Sequence, residues 1–281
     1  MRYIAIIAGN NYNKSMAKTI SGVYTTSKKD GSTYYRASIT YRTRHISLGS
    51  YDTEEAAHRA YIQARLLLHD TTVGVLDYHA PSALPFEKWV SLINFRDNGI
   101  YIANPIYIMR KMFYYYLNPD EILKFDADEL FYYSSHKIQR RGTHYFAADY
   151  GMQVNILNRY GIRSYAVEGR DYFFLNGDIL DFRTSNLNIV NRYIGVTREV
   201  HRGRTVYRTR IHIRGNYIVG DYDTEEKAAA AYNAAADLLE KAGCKKKYPR
   251  NYIETLSEAE YTELCKTLVL SPKLYDLKFT S

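Results

Sequence analysis

Two stretches of this chain repeat each other. From Tyr34 the sequence runs YYRASITYRTRHISLGSYDTEEAAHRAY, and residues 207–232 run YRTRIHIRGNYIVGDYDTEEKAAAAY. The shared order is Tyr-Arg, an alternating strand, a short turn and a second strand closing in Gly. Tyr-Asp-Thr-Glu-Glu-x-Ala-Ala-x-x-Ala-Tyr follows. A Gly-Val pair and a polar turn precede each copy (Gly22-Val23 and Gly195-Val196). A match of this length is two copies of one module, which sets the organisation of the whole chain.

The local physics of one copy follows directly. Tyr207, Thr209, Ile211 and Ile213 alternate with Arg208, Arg210, His212 and Arg214, a period of two that predicts a strand with one apolar face. Tyr217 and Val219 continue that face on the next strand. Asp223 or Thr224 can cap the helix that follows, with Glu225 and Glu226 in its first turn, where the helix dipole favours acids. Ala228, Ala229, Tyr232, Ala235, Ala236 and Leu239 fall at helical spacing on one side. In the first copy the inner face is Val23, Tyr35, Ala37, Ile39, Tyr41, Ile46 and Leu48, covered by Ala56, Ala57, Ala60, Tyr61 and Ala64. Each copy thus predicts a three-stranded antiparallel sheet covered by a helix on one face and open on the other.

Charge follows the same division. Lys and Arg number 38 against 30 Asp and Glu, a net charge of +8, which favours a polyanionic partner. Residues 193–220 hold six Arg against Glu199, and residues 21–51 hold five Lys and Arg against Asp30. The remaining acids of the modules sit mainly on the helices, so the cations are expected on the open faces. The open-face residues are Arg36, Ser38, Thr40 and Arg42 with Arg44, His45 and Ser47 in the first copy. In the second they are Arg198, Arg208, Arg210, His212, Arg214 and Asn216, with Ile218 beside them.

The pattern resembles the Apetala-two, or ethylene-response-factor, type of DNA-binding domain over residues 20–68 and 193–241. The Gly-Val start, the Tyr-Arg strand, the Leu48-Gly49 or Val219-Gly220 close and the YDTEExAAxxAY helix start carry the resemblance. It implies a sheet laid in the major groove of double-stranded DNA, where arginine read against guanine discriminates by roughly 1–3 kcal/mol. The chain departs from that family on the first strand, where Thr197 and Glu199, or Tyr24 and Thr26, replace the usual arginines. The target sequence does not carry over.

Between the copies, residues 71–85 read as a linker around Ala80-Pro81-Ser82-Ala83-Leu84-Pro85, and residues 86–192 as a central domain. The chain holds 30 Tyr against 10 Phe and one Trp. Its runs at Phe113–Tyr116 and Phe131–Tyr133 are expected to line a core, since Tyr adds volume together with a hydroxyl that needs a partner. DEILKFDADELF, residues 120–131, is expected as a short helix or a turn with solvated acids, not a metal site.

Residues 142–192 resemble an HNH homing-type endonuclease in Ile156-Leu157-Asn158-Arg159, Leu175-Asn176-Gly177-Asp178 and Leu180–Leu187. The family's chemistry needs a His to deprotonate water and a carboxylate with a second ligand to hold a metal. By that resemblance Phe173 and Phe174 stand where the metal-binding Asp and the general-base His belong. Asn158 replaces a further His, Phe182 replaces an Asn, and Asn186 remains. Rings neither accept a proton nor ligate a metal, so the expectation is a nuclease frame without catalysis, an apolar plug, no metal and no cofactor. A shifted active site would have to use Asp171 with His136 or His144.

Residues 193–243 form the second module and 244–281 a tail, with Lys245-Lys246-Lys247 and Arg250 leading to a capping box at Ser257 and Glu260. Only Cys244 and Cys265 are present and no apolar run reaches membrane length, which implies a reducing, cytoplasmic setting. MRYIAIIAGNNYNK is too short and polar-flanked for a signal peptide. The reading is an α+β chain, with modules at 1–70 and 193–243 flanking an HNH-like α+β centre, that binds double-stranded DNA and is not an enzyme. Such a chain would be a pseudo-nuclease and a transcriptional or mobile-element regulator of bacterial or phage type. A metal-dependent nickase and a phage-type inhibitor of an acidic protein are the alternatives. A homodimer or protein partner through the central domain or the final helix is left open.

Overall fold

The computed structural model describes residues 20–149, 151–277 and 279, so the MRYIAIIAGNNYNK stretch lies outside the described residues. The chain divides into two compact units, one ending at Ser135 and the other starting at His136. That division falls inside the span 86–192 that the sequence alone sets apart as one centre. The architecture is α+β, as expected, and all of its sheets are small and antiparallel.

In the first unit β1 (Val23–Ser27), β2 (Thr33–Tyr41) and β3 (Arg44–Tyr51) pair in that order, and α1 (Glu54–His69) follows. Alternation buries Val23, Ala37, Ile39, Ile46 and Leu48 beneath Ala57, Ala60, Ala64, Leu67 and Leu68. Burying each large aliphatic chain stabilises the fold by about 1.5–3 kcal/mol, while the alanines let helix and sheet approach. Thr53 caps α1 by accepting the Ala56 N–H at 3.2 Å. At its far end the buried Arg96 guanidinium donates to the carbonyls of Leu67 at 3.0 Å and Asp70 at 2.5 Å.

The expected linker is part of this core. Leu84 is fully buried, its amide bonds Gln63 Oε1 at 2.9 Å, and Trp89 Nε1 donates to the Gly74 carbonyl at 3.2 Å. Leu84 and Val75 share one core with Trp89, Leu92 and Ile93 of α2 (Phe86–Asn98). Beyond α2 come β4 (Ile106–Ile108), β5 (Met112–Asn118) and β6 (Glu121–Asp126), then the short α3 (Leu130–Ser135). Here two expectations change. Residues 121–126 form a strand instead of a helix or turn, because Leu123 and Phe125 alternate into the core. Phe113, Tyr115, Tyr116 and Tyr133 are buried as expected, but Phe131 is 90% exposed, since two residues along a helix face different sides.

The second unit opens with β7 (Ile138–Arg141), β8 (His144–Asp149) and β9 (Met152–Asn155), and the pair β10 (Tyr172–Phe174) and β11 (Leu187–Ile189) follows. The second copy of the module is β12 (Val196–His201), β13 (Arg204–His212), β14 (Asn216–Tyr222) and α4 (Glu225–Lys241). Both copies carry a bulge at the same place, with buried Leu48 and buried Val219 as the extra residues. The Gly-Val signature is explained as well. Gly22 and Gly195 have φ of 78° and 72°, and a Cβ on either would run into the ring of Tyr61 or Tyr232. Thr224, not Asp223, caps α4, accepting the Lys227 N–H at 3.2 Å.

Ser257 and Glu260 form the expected capping box at the start of α5 (Glu258–Thr267). Tyr261, Leu264 and Cys265 of α5 pack against the α4 alanines. The chain then runs along β14, where the Ser271 N–H meets the Val219 carbonyl at 2.7 Å and the Tyr222 hydroxyl donates to the Val269 carbonyl at 2.9 Å. No helix among the described residues is long and apolar enough to cross a membrane.

Candidate nucleic-acid interface

The face of the first sheet away from α1 is set by strand parity. Arg36 pairs with Tyr24 and Ser50, Ser38 with Ser47, and Thr40 with His45. Residues directly opposite across a strand pair share a face, so these side chains stand together. Tyr24, Arg36, Ser38, His45 and Ser47 line a shallow hollow of about 440 Å³ with Thr26. Arg36 is exposed and Tyr24 is 56% exposed, while Thr40 Oγ1 lies 3.3 Å from His45 Nδ1. The Ser38 hydroxyl is buried without a hydrogen-bond partner.

The same positions in the second sheet are occupied differently. Arg208 pairs with Thr197 and Asp221, Arg210 with Ile218, and His212 with Asn216. Arg208 makes a two-pronged contact to Asp221, Nε to Oδ1 and Nη2 to Oδ2, both at 2.7 Å. Its Nη1 reaches Glu199 Oε2 at 2.9 Å, and Arg210 Nη2 reaches Glu199 Oε1 at 2.7 Å. His201 Nε2 also lies 2.9 Å from Glu199. The bond to His201, with Arg210 and Arg208 beside it, holds the Glu199 carboxyl below the usual carboxylate range, and the Arg208 bond does the same for Asp221. The His–polar pair is conserved in place but swapped in strand, since His212 Nδ1 faces Asn216 Oδ1 at 3.1 Å where Thr40 faces His45. At the end where β12 starts, Thr197, Arg210, His212 and Asn216 join Arg170 and Asn191 around a hollow of about 470 Å³.

Three arginines expected on the open faces lie elsewhere. Arg44 pairs with the inward-facing Tyr41 and its guanidinium sits 4.9 Å from the centre of the Tyr101 ring. Arg42 lies in a tight turn with Thr43, at φ of 44° and 66°, and donates to the Phe95 carbonyl at the end of α2 at 3.4 Å. Arg198 pairs with Tyr207, which packs toward α4, so it too takes the helix side. Parity and turn geometry, not residue type, decide these placements. Arg214 is exposed at the β13–β14 turn. Lys246 is anchored at that end as well, its Nζ 2.9 Å from the His212 carbonyl. The engagement of Glu199 and Asp221 is what composition hides, because counting arginines by segment does not ask which carboxylate shares their face.

In the centre of the second unit, Phe173 pairs with Asn188 and Phe174 with Leu187. Phe174 packs edge-on against Tyr172 and Phe182, with ring centres 5.8 and 5.7 Å away, and Phe182 is buried. Phe174, Tyr172 and Phe182 thus form an aromatic cluster. Phe173, adjacent on the strand and so turned to the other side, is 39% exposed. Asn158 accepts the Ser164 hydroxyl at 3.3 Å. Asn186 is buried and ties the loop together, its Oδ1 accepting the Asn176 N–H at 2.8 Å and its Nδ2 donating to the Asp181 carbonyl at 2.9 Å.

The carboxylates there are committed. Asp181 is fully buried and bonded by Arg183 at 2.6 Å and by Asn176 at 2.9 Å. Asp171 accepts from Arg170 at 2.5 Å, from the Val167 N–H at 2.8 Å and from Asn191 at 2.9 Å. Burial pushes both carboxyls up, but these donors outweigh it and leave them below their ordinary range. His136 lies 3.4 Å from Asp149, while His144 lines an apolar hollow of about 470 Å³ with Tyr172, Phe174 and Phe182. Among the described residues no three His, Cys, Asp or Glu side chains converge as a metal site would require.

Compared with known protein families, curated proteins and solved structures, the chain matches none. Two copies of one module each bury one face of a small sheet under an alanine-rich helix and present the other, with an arginine at the same central position, Arg36 or Arg208.

Proposed function

We propose that this chain is a double-stranded-DNA-binding protein that reads the duplex with the uncovered faces of its two β1–β3-type sheets, and that it is not an enzyme. The observation that carries this reading is the repeated face itself, with Arg36 or Arg208 at its centre and a His–polar pair (Thr40 and His45, or His212 and Asn216) beside it. A twisted sheet of this width fits a major groove, where such groups meet base edges and phosphates. The basic turn residues Lys28, Lys29 and Arg214 and the anchored Lys246 supply flanking cations for phosphates. Two modules on one chain raise affinity through effective concentration wherever both reach one duplex.

The HNH-like centre is read as a frame without chemistry. Phe173 and Phe174 offer no ligand or base, and Asp171 and Asp181 are spent on internal bonds. Transcriptional or mobile-element regulation in a reducing cytoplasm fits the free Cys244 and Cys265. The direct test is selection of bound sequences from a random duplex pool. Enrichment of a defined motif supports the reading, and recovery of the unselected pool contradicts it.

A further inference from the structure

The two modules are one fold with different electrostatics, and the repeat supplies its own comparison. Counting from the paired positions Val23 and Val196, Glu199 stands where the first copy has Thr26. Asp221 stands where it has Ser50, each opposite the central arginine. Arg210 stands at the place of Ser38, just past the bulge.

The consequences are visible in the contacts. Arg208 spends Nε, Nη1 and Nη2 on the two carboxylates, and its side chain is only 20% exposed. Arg210 is bridged to the other oxygen of the same Glu199. Glu199 and Asp221 thus neutralise Arg208 and Arg210, while Arg204, opposite His201 on the same face, and Arg214 at the next turn are exposed. Arg36, in contrast, makes no ion pair among the described residues and is exposed.

We infer that Glu199 and Asp221 are an internal phosphate mimic that keeps Arg208 and Arg210, at the centre of the second sheet, from the DNA backbone. This rests on the DNA-binding reading above. A carboxylate pair held in two-pronged contact occupies the donors that a phosphate would take, and opposes the approach of the polyanion. Arg208 and Arg210 then contribute only where base-edge contacts repay the exchange of partners, which makes Glu199 and Asp221 specificity-determining residues.

The test compares the wild-type chain with Glu199→Gln/Asp221→Asn, titrated against random-sequence duplex over a salt series. Releasing two arginines should steepen the slope of log K against log salt by about two and raise random-duplex affinity about tenfold at low salt. The reciprocal change, Thr26→Glu/Ser50→Asp, installs the mimic around Arg36 and should lower the slope by about one. Thermal melts of both variants guard against a folding defect, and the reciprocal variant keeps the question answerable where the first does not fold. A wild-type slope in both variants, or weaker random-duplex binding by Glu199→Gln/Asp221→Asn, overturns the inference while leaving DNA binding intact. Absence of duplex binding by the wild type and by every variant overturns both the inference and the reading it rests on.

Discussion

Gly195 sits against the ring of Tyr232 so closely that no side chain fits between them, and Gly22 and Tyr61 repeat the arrangement in the first module. The contact joins the start of the first strand to the helix, which is why the Gly-Val pair and the Ala-Tyr pair recur together. Gly195→Ala forces a left-handed φ on alanine and a collision with an aromatic ring. It should lower the stability of the second unit by about 2 kcal/mol or more. Urea unfolding followed by circular dichroism measures this, and the same loss is expected for Gly22→Ala in the first unit.

Asn186 is the loop's internal fastener. Asn186→Ala leaves the buried Asp181 carbonyl without this donor and the part-buried Asn176 N–H without this acceptor. The cost should be about 2 kcal/mol, the range of lost bonds to buried polar groups. Hydrogen exchange at the Asn176 amide should accelerate well before global unfolding. Protection equal to wild type would contradict the assigned role.

Asp171 and Asp181 link the second unit to pH. Their folded carboxyls titrate below the ordinary range, so the unfolded chain binds protons first as the solution is acidified. Their contribution is complete above about pH 4, the unfolded value, and is lost as pH falls through the lower folded values. Stability of wild type should therefore drop steeply below about pH 4, and Asp181→Asn, already weaker at neutral pH, should lose less across the same window. Equal acid slopes for the two proteins would contradict the linkage.

The fate of the nuclease-like frame has a direct readout. Supercoiled plasmid incubated with the protein and Mg²⁺ or Mn²⁺ should remain supercoiled. Nicking that Asp171→Ala abolishes would show that the carboxylate leaves Arg170 and Asn191 to act on phosphate, and would reverse the non-enzymatic reading.

Much of this architecture was legible in the sequence because it rests on short-range rules. Period-two alternation located Val23, Ala37, Ile39, Ile46 and Leu48 on one face, and helical spacing located the α4 alanines on another. Capping chemistry narrowed the start of α4 to Asp223 or Thr224, of which Thr224 is the cap, and marked the Ser257–Glu260 box. What escaped depends on register and on distant partners. The turn at Arg42 and Thr43 and the parity of Arg198 sent expected DNA contacts to the helix side. Leu84 looked like part of a proline-rich linker because its partners, among them Gln63, lie far away in sequence. Glu199 was seen as a departure from a pattern, while its engagement of two arginines emerged only once the strands were paired.

The central claim is tested most directly by titrating a fixed concentration of selected duplex, at constant moderate salt, with wild type and with Arg36→Ala/Arg208→Ala. Loss of the two central arginines should weaken binding at least about a hundredfold, on the scale of roughly 1–3 kcal/mol for each base-edge contact. Arg65→Ala/Lys241→Ala, which removes exposed cations from the backs of α1 and α4, should leave affinity within about threefold. Equal affinity for wild type and Arg36→Ala/Arg208→Ala, or a larger loss from the helix-back pair, would contradict the account.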